Sequence, residues 1–165
     1  MELKQLLLAP PMRRTLAVAE SMTGGRVQAR LTEISGASDF FLGGLTAYAL
    51  EQKAALLGVN REHAAAVNCV SARVAEEMAS GACRIFQADF AIATTGYAEP
   101  ALAQGVAVPF AWLAVAECSR GGPVAVRSRR MECPGATRAE AQTAVAEAAL
   151  EMLVAWLRGD AERGV

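Results

Sequence analysis

The sequence predicts an α/β domain, a three-layer α/β/α sandwich with a mixed β-sheet covered by helices on both faces. Three observations carry this. Short apolar runs alternate with helix-period segments through the first half of the chain. Two alternating runs, 106–117 and 123–131, meet at Gly121-Gly122 and read as an antiparallel pair. A long amphipathic segment then follows Thr137, a good helix cap.

The elements follow in order. The apolar stretch within residues 1–8 is short, carries Glu2 and lacks a cleavage site, so it reads as a first helix and not a signal peptide. Residues 15–19, Thr-Leu-Ala-Val-Ala, form a buried strand that stops at Glu20-Ser21-Met22-Thr23-Gly24-Gly25. A helix follows over about 25–34, with Val27, Leu31 and Ile34 on one face. Residues 40–50 read as a second strand, in which Gly43 and Gly44 suggest a bulge or a close approach. A short helix over 51–57 ends at Gly58. Ser71 caps the next helix, with Val74, Met78, Ala82 and Ile85 on one face. Residues 89–95 form a third strand stopped by Gly96, followed by a loop from Tyr97 to Gly105. The last helix reaches about Leu157, with a stripe of Ala141, Val145, Ala148, Met152 and Trp156.

Length and composition suit a single domain over 1–165, with a core of about 13–157. With 16 basic and 17 acidic residues, no basic face marks a nucleic-acid partner. No run approaches a membrane span, and the cytoplasm is the expected location. Four scattered cysteines and one histidine, His63, argue against a structural zinc; the cysteines read as reduced apolar residues, and His63 as exposed in a loop. An apolar content of 53% is high for this size and fits a homodimer or a higher assembly.

Three places could carry chemistry. Glu20-Ser21-Met22-Thr23-Gly24-Gly25 lies where a strand feeds a helix, so glycines and free N–H groups could receive a phosphate. The same residues also fit a plain glycine turn capped by Ser21 or Thr23. Tyr48 and Lys53 follow the second strand. A buried neutral lysine can replace histidine as the base for a serine, with a tyrosine to hold the proton; equally, Lys53 could be solvated and Tyr48 a core aromatic. Thr94-Thr95-Gly96 ends the third strand, where α/β folds place ligands. Arg127 to Arg130 read as a polar strand face, with an arginine that could reach an anion, and Trp112 and Trp156 as core or interface anchors.

Several stretches together resemble a known family. Thr15-Leu-Ala-Val-Ala-Glu-Ser-Met-Thr-Gly-Gly25 is similar to the A-E-S-C/M-T-G-G hallmark of the CinA C-terminal domain family. Phe41 to Tyr48 resembles its G-G-x-x-x-Y segment, and Glu51 to Val59 its N-E-x-K-x-x-L-L-G-V segment, with Leu50 in place of the asparagine. Ala66-Val67 to Met78, with Val70-Ser71, then Ala93 to Gly96 and the helix from Arg138 to Leu153 match in order. The resemblance covers most of 13–157 and implies an α/β/α fold and nicotinamide-nucleotide amidohydrolase activity. It implies Ser21 as nucleophile with Tyr48 and Lys53 as its partners, a small-molecule nucleotide as substrate, and no metal or redox cofactor. Substrate contacts are expected from Glu20, Thr23, Gly24, Gly25, Thr94, Thr95 and Gly96. Larger family members add an N-terminal domain; a single domain is expected here. Where the family continues T-G-I-A-G-P-G-G, this chain reads Thr95-Gly96-Tyr97-Ala98-Glu99-Pro100-Ala101-Leu102. That loop is expected to border the pocket and, through Glu99, to disfavour a phosphate. The alternative is a weak or inactive relative that binds nucleotides or partners.

Overall fold

The computed structural model describes residues 2–119 and 122–160. One five-stranded sheet has the order β2-β1-β3-β4-β5, with β1 at Leu16–Glu20, β2 at Phe41–Thr46, β3 at Phe90–Tyr97, β4 at Phe110–Ser119 and β5 at Gly122–Glu132. β2, β1 and β3 are parallel; β4 and β5 add antiparallel strands at one edge. The helices are α1 (Glu2–Leu7), α2 (Arg26–Thr32), α3 (Leu50–Leu57), α4 (Arg61–Ala66), α5 (Ala72–Phe86) and α6 (Arg138–Arg158). The turn at Gly121 lies outside the described residues. No helix among them is long and apolar enough to cross a membrane.

Strand alternation divides the interior into two different cores. Leu16, Val18, Phe90, Ile92, Leu113 and Val115 face α1, α2 and α6. The intervening Ala17, Ala19, Ala91, Ala93, Ala114 and Ala116 face α3, α4 and α5. Side chains in a strand point alternately to opposite faces, so one bulky and one alanine face follow directly from the sequence. These two covered faces make the α/β/α sandwich.

Side-chain caps start α4, α5 and α6. The Ser71 hydroxyl accepts from the Val74 amide, and Thr137 and Glu140 form a capping box that starts α6. Asn60 caps α4, so His63 sits in a helix and not in a loop; it is partly buried, with Nε2 3.0 Å from the Ser71 hydroxyl. Ile85, expected on the inner face of α5, is exposed. Arg127 instead stacks over Trp156, which meets Phe90 edge-on.

Three strand boundaries differ from the sequence reading. β2 ends at Thr46, which leaves Tyr48 in the following loop. β3 continues through Gly96, which pairs with Ala111. A Cβ at position 96 would lie 2.3 Å from the Phe110 carbonyl oxygen, so glycine here permits strand contact and does not end the strand. β4 accordingly starts at Phe110; ahead of it only an isolated bridge joins Ala101 and Val106.

Gly81 lets α5 pack closely on α3. A Cβ there would lie 2.1 Å from the Leu57 carbonyl oxygen, which fixes how near α5 comes to α3. Alanine in an exposed helix gains up to about 1 kcal/mol over glycine, but overpacking against backbone costs about 1–3 kcal/mol. Gly81→Ala is therefore expected to lower the urea midpoint; an unchanged or raised midpoint would show that α5 can move away freely.

Candidate active site

The site lies beyond the carboxyl ends of the three parallel strands, where β2 and β3 flank β1. Connections leave β1 and β3 in opposite directions there, which opens a crevice. Ser21 immediately follows β1. Its amide donates to the Thr94 carbonyl at 3.0 Å, and the Ala47 amide donates to the Glu20 carbonyl at 2.9 Å. The ladder thus continues one residue past the strand and fixes where the serine emerges.

Glu20 shapes the turn that follows. Its side chain is fully buried and accepts five hydrogen bonds: the Thr23 hydroxyl at 2.6 Å, the amides of Gly25, Val27 and Gln28 at 2.9–3.2 Å, and the Gln28 side-chain amide at 3.1 Å. The free N–H groups expected at this helix start are therefore satisfied by the protein's own carboxylate. Gly24 and Gly25 adopt φ of 60° and 96°, which glycine allows at no steric cost. The Gly24 amide donates back to the Ser21 carbonyl. Thr23 and Thr94 are fully buried, with hydroxyls 2.7 Å apart. Glu20, Thr23 and Thr94 thus form an internal polar seam linking β1, α2 and β3.

Ser21, Tyr48, Lys53, Thr95 and Gly96 instead line one cleft of about 310 Å³, together with Leu50, Asn68, Cys69 and Tyr97. Lys53, from α3, is 1% exposed. Its Nζ lies 2.9 Å from Ser21 Oγ, 2.8 Å from the Ala47 carbonyl and 2.7 Å from the Tyr48 carbonyl. Burial pushes the amine below the ordinary lysine range, while the nearby Cys69 thiol group works in the opposite sense. Two carbonyls can take the two N–H bonds of a neutral amine, leaving its lone pair toward the serine hydroxyl. The Tyr48 side chain is 60% exposed, and its hydroxyl accepts from Arg138 at 2.9 Å. Tyr48 reaches Lys53 through its backbone carbonyl.

A second hollow of about 180 Å³ adjoins the cleft and shares Met22, Tyr48, Gly96 and Tyr97 with it. Residues 98–101 and Arg138 line the rest. Arg138 Nη1 bonds Glu99 at 2.6 Å. The 97–104 loop therefore borders the cleft, and the charge of Glu99 is paired. A larger hollow of about 690 Å³ lies at the opposite end of the sheet, around Cys83, Asp89 and Cys118. It holds no serine–lysine pair, and burial raises both thiols there. Among the described residues, no group of three or more His, Cys, Asp or Glu could hold a metal.

The family model of the CinA C-terminal domain matches residues 3–157. The chain belongs to that family. A CinA-like protein from Chlorobium phaeobacteroides is 40% identical over 137 residues, covering 82% of this chain and 32% of that protein. The crystal structure of a CinA superfamily protein from Enterobacter cloacae superposes with a TM-score of 0.84 at 28% identity, covering 94% of this chain and 88% of that one. The competence/damage-inducible protein CihA from Agrobacterium tumefaciens gives 0.78 at 31% identity, covering 96% of each chain. The chain spans about a fifth to a third of the length of the curated relatives it matches.

Within this CinA domain, Asn68, Cys69 and Arg138 were not singled out by sequence reading as site residues. Asn68 Nδ2 donates to the Tyr97 hydroxyl at 3.0 Å, and Cys69 accepts from Thr95 through its carbonyl at 2.7 Å. Asn68 and Cys69 reach the cleft because the α4–α5 connection returns over β3.

The buried amine predicts a stability signature. Its folded pKa is depressed below the unfolded value of about 10.4. In the window between the two values the unfolded state binds more protons, so stability from this group rises with pH and the burial cost is fully present below it. Urea midpoints compared between pH 7 and 10 should therefore rise less in Lys53→Met than in wild type. Parallel curves for the two proteins would mean that the amine is not desolvated.

Proposed function

We propose that the chain is a serine amidohydrolase acting on the carboxamide of nicotinamide nucleotides, with nicotinamide mononucleotide the substrate implied by family resemblance. The observation that carries this is the 2.9 Å contact between Ser21 Oγ and the buried Lys53 Nζ in a cleft at the strand ends. The partner is a small molecule; the reading invokes no nucleic acid and no membrane.

In this reading neutral Lys53 takes the hydroxyl proton as Ser21 Oγ attacks the carboxamide carbon. The backbone amides of Met22 and Thr23, which follow the serine in the turn, are the candidates for stabilising the oxyanion. The tetrahedral intermediate collapses with proton transfer from the Lys53 ammonium to the departing nitrogen, and ammonia leaves an acyl ester on Ser21. Lys53 then deprotonates water, which attacks the ester. The carboxylic acid is released and the serine hydroxyl regenerated. The Ala47 and Tyr48 carbonyls steady the amine through both steps. Tyr48 contributes by this carbonyl and by walling the cleft.

Ammonia release from nicotinamide mononucleotide tests the reading. Ser21→Ala and Lys53→Met should each lose at least about a thousandfold in kcat, the scale on which interdependent catalytic groups fail. Wild-type kcat/KM should rise with pH through the depressed pKa of Lys53, because only the neutral amine accepts the proton. Retention of activity in Ser21→Ala would remove the serine mechanism, and absence of release from any nicotinamide amide would leave a binding domain.

A further inference from the structure

Among the described residues, the cationic side chains lining the two joined hollows are Lys53 and Arg138. Lys53 is buried and already surrounded by three oxygens. An anionic substituent on a substrate whose amide sits at Ser21 therefore has one cation to meet, Arg138. That guanidinium is occupied on two sides: Nη1 by the Glu99 carboxylate at 2.6 Å and Nη2 by the Tyr48 hydroxyl at 2.9 Å. Glu99 is held by its neighbours. Ala98 is buried, and just past Pro100 the Ala101–Val106 bridge pins the loop. Arg138 is fixed at the first turn of α6 beside the Thr137 capping box, and Gln142 one turn later donates to the Met22 carbonyl at 2.9 Å.

From this arrangement we propose that Glu99 is a specificity-determining residue that makes the site favour a pyridine carboxamide without a phosphate over its phosphorylated form. The inference rests on the amide-hydrolysis reading of Ser21 and Lys53. A phosphate dianion that bonds Arg138 sits beside the Glu99 carboxylate already held there, a like-charge juxtaposition. A ribosyl substituent without the phosphate meets no such repulsion. The cationic pyridinium ring is common to both compounds, so Glu99 separates them through the phosphate alone. The Glu99–Arg138 pair is about half exposed, so screening limits the discrimination to a modest factor.

The test compares nicotinamide riboside with nicotinamide mononucleotide, which share the carboxamide and ribose and differ by the phosphate. Wild type should show the higher kcat/KM on the riboside. Glu99→Gln should shift the ratio toward the mononucleotide by about five- to tenfold, carried mainly by KM, as expected from freeing one charged hydrogen-bonding partner at a half-exposed site. Adding Arg138→Ala to Glu99→Gln should cancel that gain. Calorimetric dissociation constants for both compounds with Ser21→Ala and with Ser21→Ala/Glu99→Gln give the same ratio without turnover. A preference for the mononucleotide in wild type, or an unchanged ratio in Glu99→Gln, overturns the proposal. Should wild type hydrolyse neither compound, the hydrolysis reading fails and the dissociation constants alone decide the role of Glu99.

Discussion

The buried carboxylate of Glu20 is the interaction on which the site depends. A carboxylate withdrawn from water is costly unless donors surround it, and here five converge on its two oxygens. Three of those donors are amides in and before the first turn of α2. One residue thus ends β1, starts α2 and sets the bend between them. Through Thr23 and Thr94 the same seam extends to β3. The direction in which Ser21 leaves the sheet follows from this network, so a residue with no exposure governs the most chemically interesting position in the fold.

The second constraint is close packing on the alanine face. With alanines on β1, β3 and β4 and Gly81 against Leu57, α3 and α5 settle near the sheet. Only then can a lysine on the second turn of α3 point inward and reach a serine at the end of β1. A bulkier face would lift the helix and lengthen the 2.9 Å contact. The desolvation that depresses the amine is a consequence of the same packing.

At the mouth of the cleft the chemistry changes from buried and neutral to exposed and ionic. Tyr48, Arg138 and Glu99 come from three separated segments and meet in one hydrogen-bonded chain. Two residues of the stretch that reads differently from the family pattern make contacts at this rim, Tyr97 with Asn68 and Glu99 with Arg138. Changes of specificity between relatives are expected at such loops, because their side chains can vary without disturbing the core.

The sequence by itself determined the layer architecture, the helix caps at Ser71 and Thr137, and the family. These rest on local signals: a period of two or of 3.6, a hydroxyl before an apolar run, and a run of motif residues. It also brought forward Ser21 and Lys53 as candidates. What only the tertiary structure decided is the direction of each polar side chain. Glu20, expected to face a ligand, turns inward because the start of α2 offers unsatisfied amides within its reach. The Tyr48 hydroxyl turns from Lys53 toward Arg138, 90 residues away in sequence, and Gly96 continues a strand because Phe110 passes too close for any side chain. The partners range from Thr23, three residues from Glu20, to Arg138, and a local pattern contains no term for which of several donors a side chain will meet once the chain has folded.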